Sequence, residues 1–387
     1  MFGANLVKPL EQDWRETLDD VARARGWPTS RDVAKLSARV ADLSRAYNDS
    51  MHARAPMRDA GAARLVFAFA RDVPKGAGAV RELVATGSLP SDRPLRVLDV
   101  GAGLGAMTWG LVRAIEAAGR SSVEVEATWV DEDALALQLG RDIVNARARA
   151  GSHAFELRRV AGSLAAVAEL GKFDIILAGH VLSELDVGTA ADARLAQHVM
   201  VLRRLIDRNL EQDGALVVVE PALRDRTRHL HRIRGALVSL GFRVFAPCLH
   251  GAPCPALVRD SDWCHEDLAV DLPPWLIPVA RVAGLRHQGL TFSYLVMRKG
   301  GSRALVDALD PRPGAGRLRL VSEIMRSKGK SEAFLCGEFA DGGALVAARG
   351  RVARLRRHHD HANWIQLKRG DVVTLDPAPE LKRDESR

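Results

Sequence analysis

Apolar residues recur at three- and four-residue steps among charges from residue 11 to about 85. Leu18, Val21, Ala22, Val33, Leu36, Val40, Leu43 and Ala46 mark the stripe, with breaks near Pro28 and Pro56. A period near 3.6 is that of amphipathic helices, so a helical bundle or lid is expected over residues 1–90. No chemistry stands out in that region. The polar break GSLPSDRP then opens a different rhythm. LRVLDV, VEVEATWVD, FELRRV, FDIILAG and ALVVVEPA read as strands, and amphipathic helices fall between them. Strands alternating with helices predict a parallel, doubly wound α/β sheet. LTFSYLVMRK at residues 290–299 supplies a late strand to close it. After Gly300 the segments shorten to RLRLVSEIMR, AFLCGEF, ALVAARGRVARLRR and WIQLKRGDVVTL, the pattern of a small antiparallel β domain. The expected division is therefore 1–90 helical, 91–300 α/β with a loop at 247–265, 301–376 β, and a tail at 377–387.

Composition narrows the class. At 387 residues the chain has room for two or three domains, and 47% apolar with 27% charged residues is a globular balance. No run approaches the roughly 18 apolar residues of a membrane span, and the N-terminus lacks a signal core. A monomer in a bacterial cytoplasm is expected, without membrane contact, where structural disulfides are disfavoured. The net charge of +8 points to a polyanionic partner. Its distribution strengthens the point: Arg317 and Arg319 precede a basic run at Arg326, Lys328 and Lys330. A second run holds Arg349, Arg351, Arg354, Arg356 and Arg357. Clustered guanidinium and ammonium groups of this kind suit phosphate contacts. Arg326, Lys328, Lys330, Arg351, Arg354, Arg356 and Arg357 are the expected RNA-binding residues.

The first strand ends in DVGAGLGA, residues 99–106. Glycines at 101, 103 and 105 allow a tight turn and close approach of a ligand to the backbone. The spacing is GxGxG, not the GxGxxG of dinucleotide folds. It resembles the first motif of class I S-adenosylmethionine-dependent methyltransferases, which implies that this Rossmann-like sheet binds that cofactor. WVDED ends the second strand, and Asp131 is the residue expected to accept bonds from ribose hydroxyls, with Glu132 and Asp133 as register alternatives. The cofactor set is thus Asp99, Gly101, Gly103, Gly105, Asp131 and Ala178. The loop after the fourth strand, AGHVLSEL, holds neither a proline pair nor a cysteine. His180 and Glu184 are candidates for a base and its orienting acid, but pocket lining is the preferred reading of both.

Cys248, Cys254 and Cys264 crowd into one proline-rich loop, and Cys336 stands alone in the β domain. Soft sulfur ligands converge on a shared metal or cluster. His250 and His265 flank the loop, so zinc on four cysteines, or on three and a histidine, is an alternative to an iron–sulfur cluster. The C-x5-C-x9-C spacing does not decide between them.

Taken in order, DVGAGLGAMTW, HVLSEL, VVVEPAL, FAPCLHGAPCP, DWCH and FSYLVMRK resemble the ribosomal small-subunit methyltransferase-like family. Its bacterial members are relatives of the mitochondrial assembly factor methyltransferase-like protein 17. The likeness runs from about residue 95 to 300 and, more loosely, into the basic C-terminal part. It implies a 4Fe–4S cluster on Cys248, Cys254, Cys264 and Cys336. It also implies association with the 16S rRNA of the small subunit during assembly or translation, a retained methyl-donor pocket, and weak or absent catalysis. The segment RAPMRDAGAARLVFAFARD departs from the family pattern, so no RNA contact is carried over to it.

Overall fold

The computed structural model describes residues 3–48, 57–120, 123–151, 155–309, 316–327, 330–341, 344–351 and 367–375. The strands that read as unbroken apolar runs form the centre of one sheet. They are β1 (Leu95–Val100), β2 (Val125–Asp131), β3 (Glu156–Ala161), β4 (Phe173–Gly179) and β5 (Leu210–Glu220), all parallel. Such runs arise because both faces of a parallel sheet are covered. Within β1 the side chains alternate: Leu95 and Val97 enter one core, Leu98 and Val100 the other.

Three antiparallel strands complete the sheet: β6 (Arg243–Ala246), β7 (Glu266–Leu268) and β8 (Leu290–Arg298). The order is β3-β2-β1-β4-β5-β8-β6, with β7 also paired to β8. This is the class I methyltransferase sheet expected from the motif. The late strand β8 does not close its edge but lies between β5 and β6. The four residues of β6 are too few for periodicity to betray them.

Among the described residues the α-helices run in chain order from α1 (Gln12–Arg23), α2 (Val33–Asn48), α3 (Met57–Ala62) and α4 (Phe69–Ala85) to α5 (Ala106–Ala117) and α6 (Ala134–Arg149). They continue with α7 (Ala191–Arg204), α8 (Arg224–Ser239), α9 (Ile277–Val282) and α10 (Leu305–Ala308). The N-terminal helices are part of the sheet's own core: Leu18, Leu36, Leu65 and Val73 belong to the same buried cluster as Val97. A widened π turn over Ala63–Ala68 joins α3 to α4. Helices α4 and α5 touch backbone to backbone, for a Cβ added at Gly110 would lie 2.5 Å from the Val73 carbonyl. A bulkier residue there would push the helices apart.

At the C-terminus, β9 (Gly316–Leu320), the short hairpin β10 (Met325–Ser327) with β11 (Lys330–Glu332), β12 (Phe334–Asp341), β13 (Ala344–Arg351) and β14 (Val372–Leu375) follow. Four of them form an antiparallel sheet in the order β13-β12-β9-β14 around Leu318, Leu320, Ala333 and Leu335. Buried charge ties this sheet to α4. Arg319 donates to Glu82 at 2.6 Å, Tyr294 donates to the other oxygen of Glu82 at 3.0 Å, and Arg81 donates to Glu266 at 2.6 Å.

Candidate functional site

The chain reverses its strand order between β1 and β4, and ligands of open α/β sheets bind in the crevice this opens at the strand ends. A cleft of about 370 Å³ lies there. The glycine loop forms its floor. Gly105 has φ of +80°, and a Cβ on it would stand 2.0 Å from Trp129 Cζ2, so only glycine serves at that turn. Asp131 ties the two walls together: its carboxylate accepts the Gly103 amide at 2.8 Å and the Asp133 amide at 2.8 Å. Glu132 also lines the cleft, exposed beside Asp131.

Of the other expected cofactor residues, Gly101 and Gly103 line the cleft; Asp99, Gly105 and Ala178 stand behind it. Asp99 accepts from the Thr108 hydroxyl at 2.7 Å and from its amide at 3.2 Å, anchoring the first turn of α5. Burial raises its pKa to about 7, and the nearby Asp131 adds to the rise against the two Thr108 bonds. At β4 the wall is made by Gly179 and His180 rather than by Ala178.

His180 sits in the left-handed region at φ 62°. Its backbone amide donates to Val219 at 2.7 Å, and its Nε2 is buried without a hydrogen-bond partner. Burial, aided by Lys75, brings its pKa down to about 3, so the ring is neutral near pH 7; Asp72 opposes the shift. Glu184 accepts from Tyr47 at 3.3 Å, and among the described residues no hydrogen bond joins it to His180. Glu220, at the end of β5, accepts the Leu182 amide at 2.9 Å and so holds the loop after β4. Burial raises Glu220 to about 7.

The far wall comes from the helices in which the sequence showed no chemistry. Tyr47, Arg64, Phe69 and Asp72 all line the cleft. Arg64 donates to the Tyr47 hydroxyl at 3.0 Å, and Lys75 pairs with Asp72 at 2.8 Å. A signal was present: Arg64, Arg71, Asp72, Lys75, Arg81 and Glu82 interrupt an otherwise apolar helical run at helical spacing. Charges that recur inside a buried helix need partners or a ligand.

The sequence singled out four cysteines, Cys248, Cys254, Cys264 and Cys336, each half-buried here. Among the described residues none of the four is in a disulfide. Burial pushes the Cys336 thiol far up, and Cys248, Cys264 and Cys254 each push it further. His250 Nε2 approaches Cys336 Sγ at 3.4 Å. Among the described residues, however, no three His, Cys, Asp or Glu side chains stand in metal-holding geometry.

Helix α8 carries the loop. Arg228 donates to the carbonyls of Ala256 (3.0 Å), Arg259 (2.6 Å) and Asp262 (2.8 Å). His231 meets the Cys264 carbonyl at 2.9 Å. Arg234, fully buried, reaches the carbonyls of Ala252 and His250. Spaced three apart, these side chains share one helical face. Arg369, just before β14, donates to His265 at 2.9 Å and so joins the loop to the C-terminal sheet.

Of the expected RNA-binding residues, Arg326, Lys330 and Arg351 are placed on β10, β11 and β13. Lys328, Arg354, Arg356 and Arg357 lie outside the described residues, as does the 377–387 tail. Arg319 faces inward to Glu82. No helix among the described residues is long and apolar enough to cross a membrane.

No curated protein matches this chain. Among solved structures it is similar to the plantazolicin methyltransferase BpumL in complex with SAH (9% identity, TM-score 0.36, 70% of this chain and 98% of that one). Another is a methyltransferase homolog from Pyrococcus horikoshii (16% identity, TM-score 0.35, 59% and 66% covered). A third is the 16S rRNA methylase RmtB (14% identity, TM-score 0.31, 68% and 74% covered). The model of the family described as mitochondrial small ribosomal subunit Rsm22 matches residues 65–341, from the helix before the first strand into β12, and the chain belongs to that family.

Proposed function

We propose that this protein is an assembly or translation factor of the small ribosomal subunit. It binds S-adenosylmethionine in the cleft and 16S rRNA through the basic C-terminal sheet, with little or no methyl transfer of its own. The observation that carries the reading is the cleft itself: a glycine-loop floor, with Asp131 and Glu132 beside it, in a chain of a small-subunit ribosomal family. In that cleft the glycine backbone admits the aminoacyl end of the cofactor, and Asp131 or Glu132 accepts its ribose hydroxyls. A monomer in the cytoplasm is the matching cellular form.

Cys248, Cys254, Cys264 and Cys336 would hold a 4Fe–4S cluster, zinc being the alternative. The donor set supports this, since it consists of soft thiols and the other three each act on Cys336. When bound, the group supplies a covalent tie between the loop and β12. The chain does the rest: Arg228, His231 and Arg234 hold the loop's carbonyls, and Arg319 with Glu82 holds β9 on α4.

Iron and sulfide analysis of anaerobically purified protein, with calorimetric titration of SAH and co-sedimentation with small subunits, tests the three parts separately. A colourless protein with stoichiometric zinc would remove the cluster and leave the rest standing. One observation favours a second reading, an active rRNA methyltransferase: the neutral His180 ring has its Nε2 free of hydrogen bonds at the cleft wall. A specific methyl group missing from the 16S rRNA of a deletion strain would decide for it.

A further inference from the structure

A second chamber of about 320 Å³ adjoins the cofactor cleft, and the two share Tyr47, Ala68, Asp72 and His180 as a common wall. The glycine loop and Asp131 take no part in it. Its charged lining is Arg71, Lys75, Arg226 and Asp72, and its other walls include the apolar Leu43, Phe67 and Leu285. The same four charges all act on the His180 ring, so they converge on one place.

Three cations there face one carboxylate. Lys75 Nζ is 2.8 Å from Asp72 Oδ1, and Arg71 Nε is 3.3 Å from the same oxygen. Arg226 donates to the Tyr47 carbonyl at 3.1 Å and forms no ion pair among the described residues. Lys75 is only 6% exposed, and Asp72 is its only partner among the described residues. An ammonium has three donors, so this one retains donor capacity toward the chamber it lines.

We propose that this chamber binds a phosphomonoester, borne by a free mononucleotide or by the 5′ end of an RNA strand. The excess of two positive charges matches the roughly −1.5 to −2 of a phosphomonoester near pH 7. A carboxylate or a phosphodiester carries only one negative charge and leaves a cation uncompensated. Two guanidinium forks and an ammonium are the groups that recognise phosphate oxygens. The apolar walls receive the organic body, and the volume is that of a small-ligand site. None of this depends on the cleft holding S-adenosylmethionine.

The test titrates the full chain calorimetrically with CMP, cytidine, inorganic phosphate, and a short RNA with or without a 5′ phosphate. SAH affinity is measured on the same preparation. CMP should bind at least about tenfold tighter than cytidine, and Lys75→Met and Arg226→Gln should each weaken it by about tenfold or more, as loss of a buried charge partner does. Neither substitution should change SAH affinity, because neither residue lines the cofactor cleft. Displacement of CMP by 5′-phosphorylated RNA and not by its 5′-hydroxyl form identifies an RNA end as the source. No displacement by either identifies a free mononucleotide. Equal binding of CMP and cytidine, or CMP binding indifferent to both substitutions, overturns the proposal. Failure of SAH to bind while CMP binding persists overturns the cofactor reading alone.

Discussion

Glu82 is the charge on which docking of the C-terminal sheet turns. Its carboxylate is 1% exposed, and it accepts from Arg319 on β9 at 2.6 Å and from Tyr294 on β8 at 3.0 Å. Glu82→Gln keeps the shape and one acceptor oxygen but removes the charge, leaving the buried Arg319 guanidinium with neutral acceptors in place of its carboxylate, the Gly370 carbonyl at 2.8 Å among them. With about 4 Å between charge centres and an effective dielectric near 20, the lost attraction is about 4 kcal/mol. Measured losses on breaking buried pairs, roughly 3–5 kcal/mol, agree with that. Amide hydrogen exchange on β9 and β14 reads the change directly, and about 4 kcal/mol corresponds to roughly a thousandfold loss of protection. Glu211→Gln, which breaks the half-exposed pair with Arg96, is the control and should cost at most about 1 kcal/mol. Acid should act as the substitution does. Although burial opposes it, Arg319 and Arg81 hold Glu82 below its ordinary 4.5, so its stabilisation is present above that pH. It is lost as pH falls from 4.5 through the lower folded value. If Glu82→Gln changes protection by less than about fivefold, roughly 1 kcal/mol, the docking is not electrostatic and the argument fails.

Three further outcomes are expected. Gly105→Ala should abolish SAH binding measured by calorimetry: the left-handed backbone alone costs about 1–2 kcal/mol, and the Cβ strikes Trp129 at 2.0 Å; unaltered affinity would contradict the loop geometry. Asp99→Asn should stabilise the fold at pH 8 more than at pH 5, as read by urea unfolding. The wild-type group, with its folded pKa near 7 above the ordinary 3.8, loses stability as pH rises through that window, and a neutral amide does not. Arg228→Met removes the side-chain bonds to the carbonyls of Ala256, Arg259 and Asp262, of which Arg259 keeps the Asp262 amide at 3.1 Å; at about 1–3 kcal/mol for a buried carbonyl that loses its donor, proteolysis within residues 247–265 should accelerate. An unchanged digestion pattern would show that α8 does not hold the loop.

Much of the sheet was legible because β1, β4 and β5 are buried on both faces and read as apolar runs. β6 was not, since Arg243–Ala246 gives two alternations at most and runs straight into Pro247. In the site, Gly101, Gly103 and Asp131 were legible from the turn chemistry of the loop and the end of the second strand. Tyr47, Arg64 and Asp72 were not. Charges inside an apolar helical run signal that they need partners, but only packing against the strand ends turns these residues toward the cleft.

The sequence by itself determined the alternation of elements, the glycine turn, and the crowding of three thiols with a fourth far away. These are local facts, set by backbone sterics and by hydrophobic period. Tertiary structure decided what faces what. It placed α4 as the second wall of the cleft and merged its core with the sheet. It put β8 inside the sheet rather than at its edge, and it made Arg228, His231 and Arg234 the anchors of the cysteine loop. Those outcomes depend on pairings between residues far apart in the chain, 237 positions for Glu82 and Arg319, and no local pattern encodes a partner at that distance.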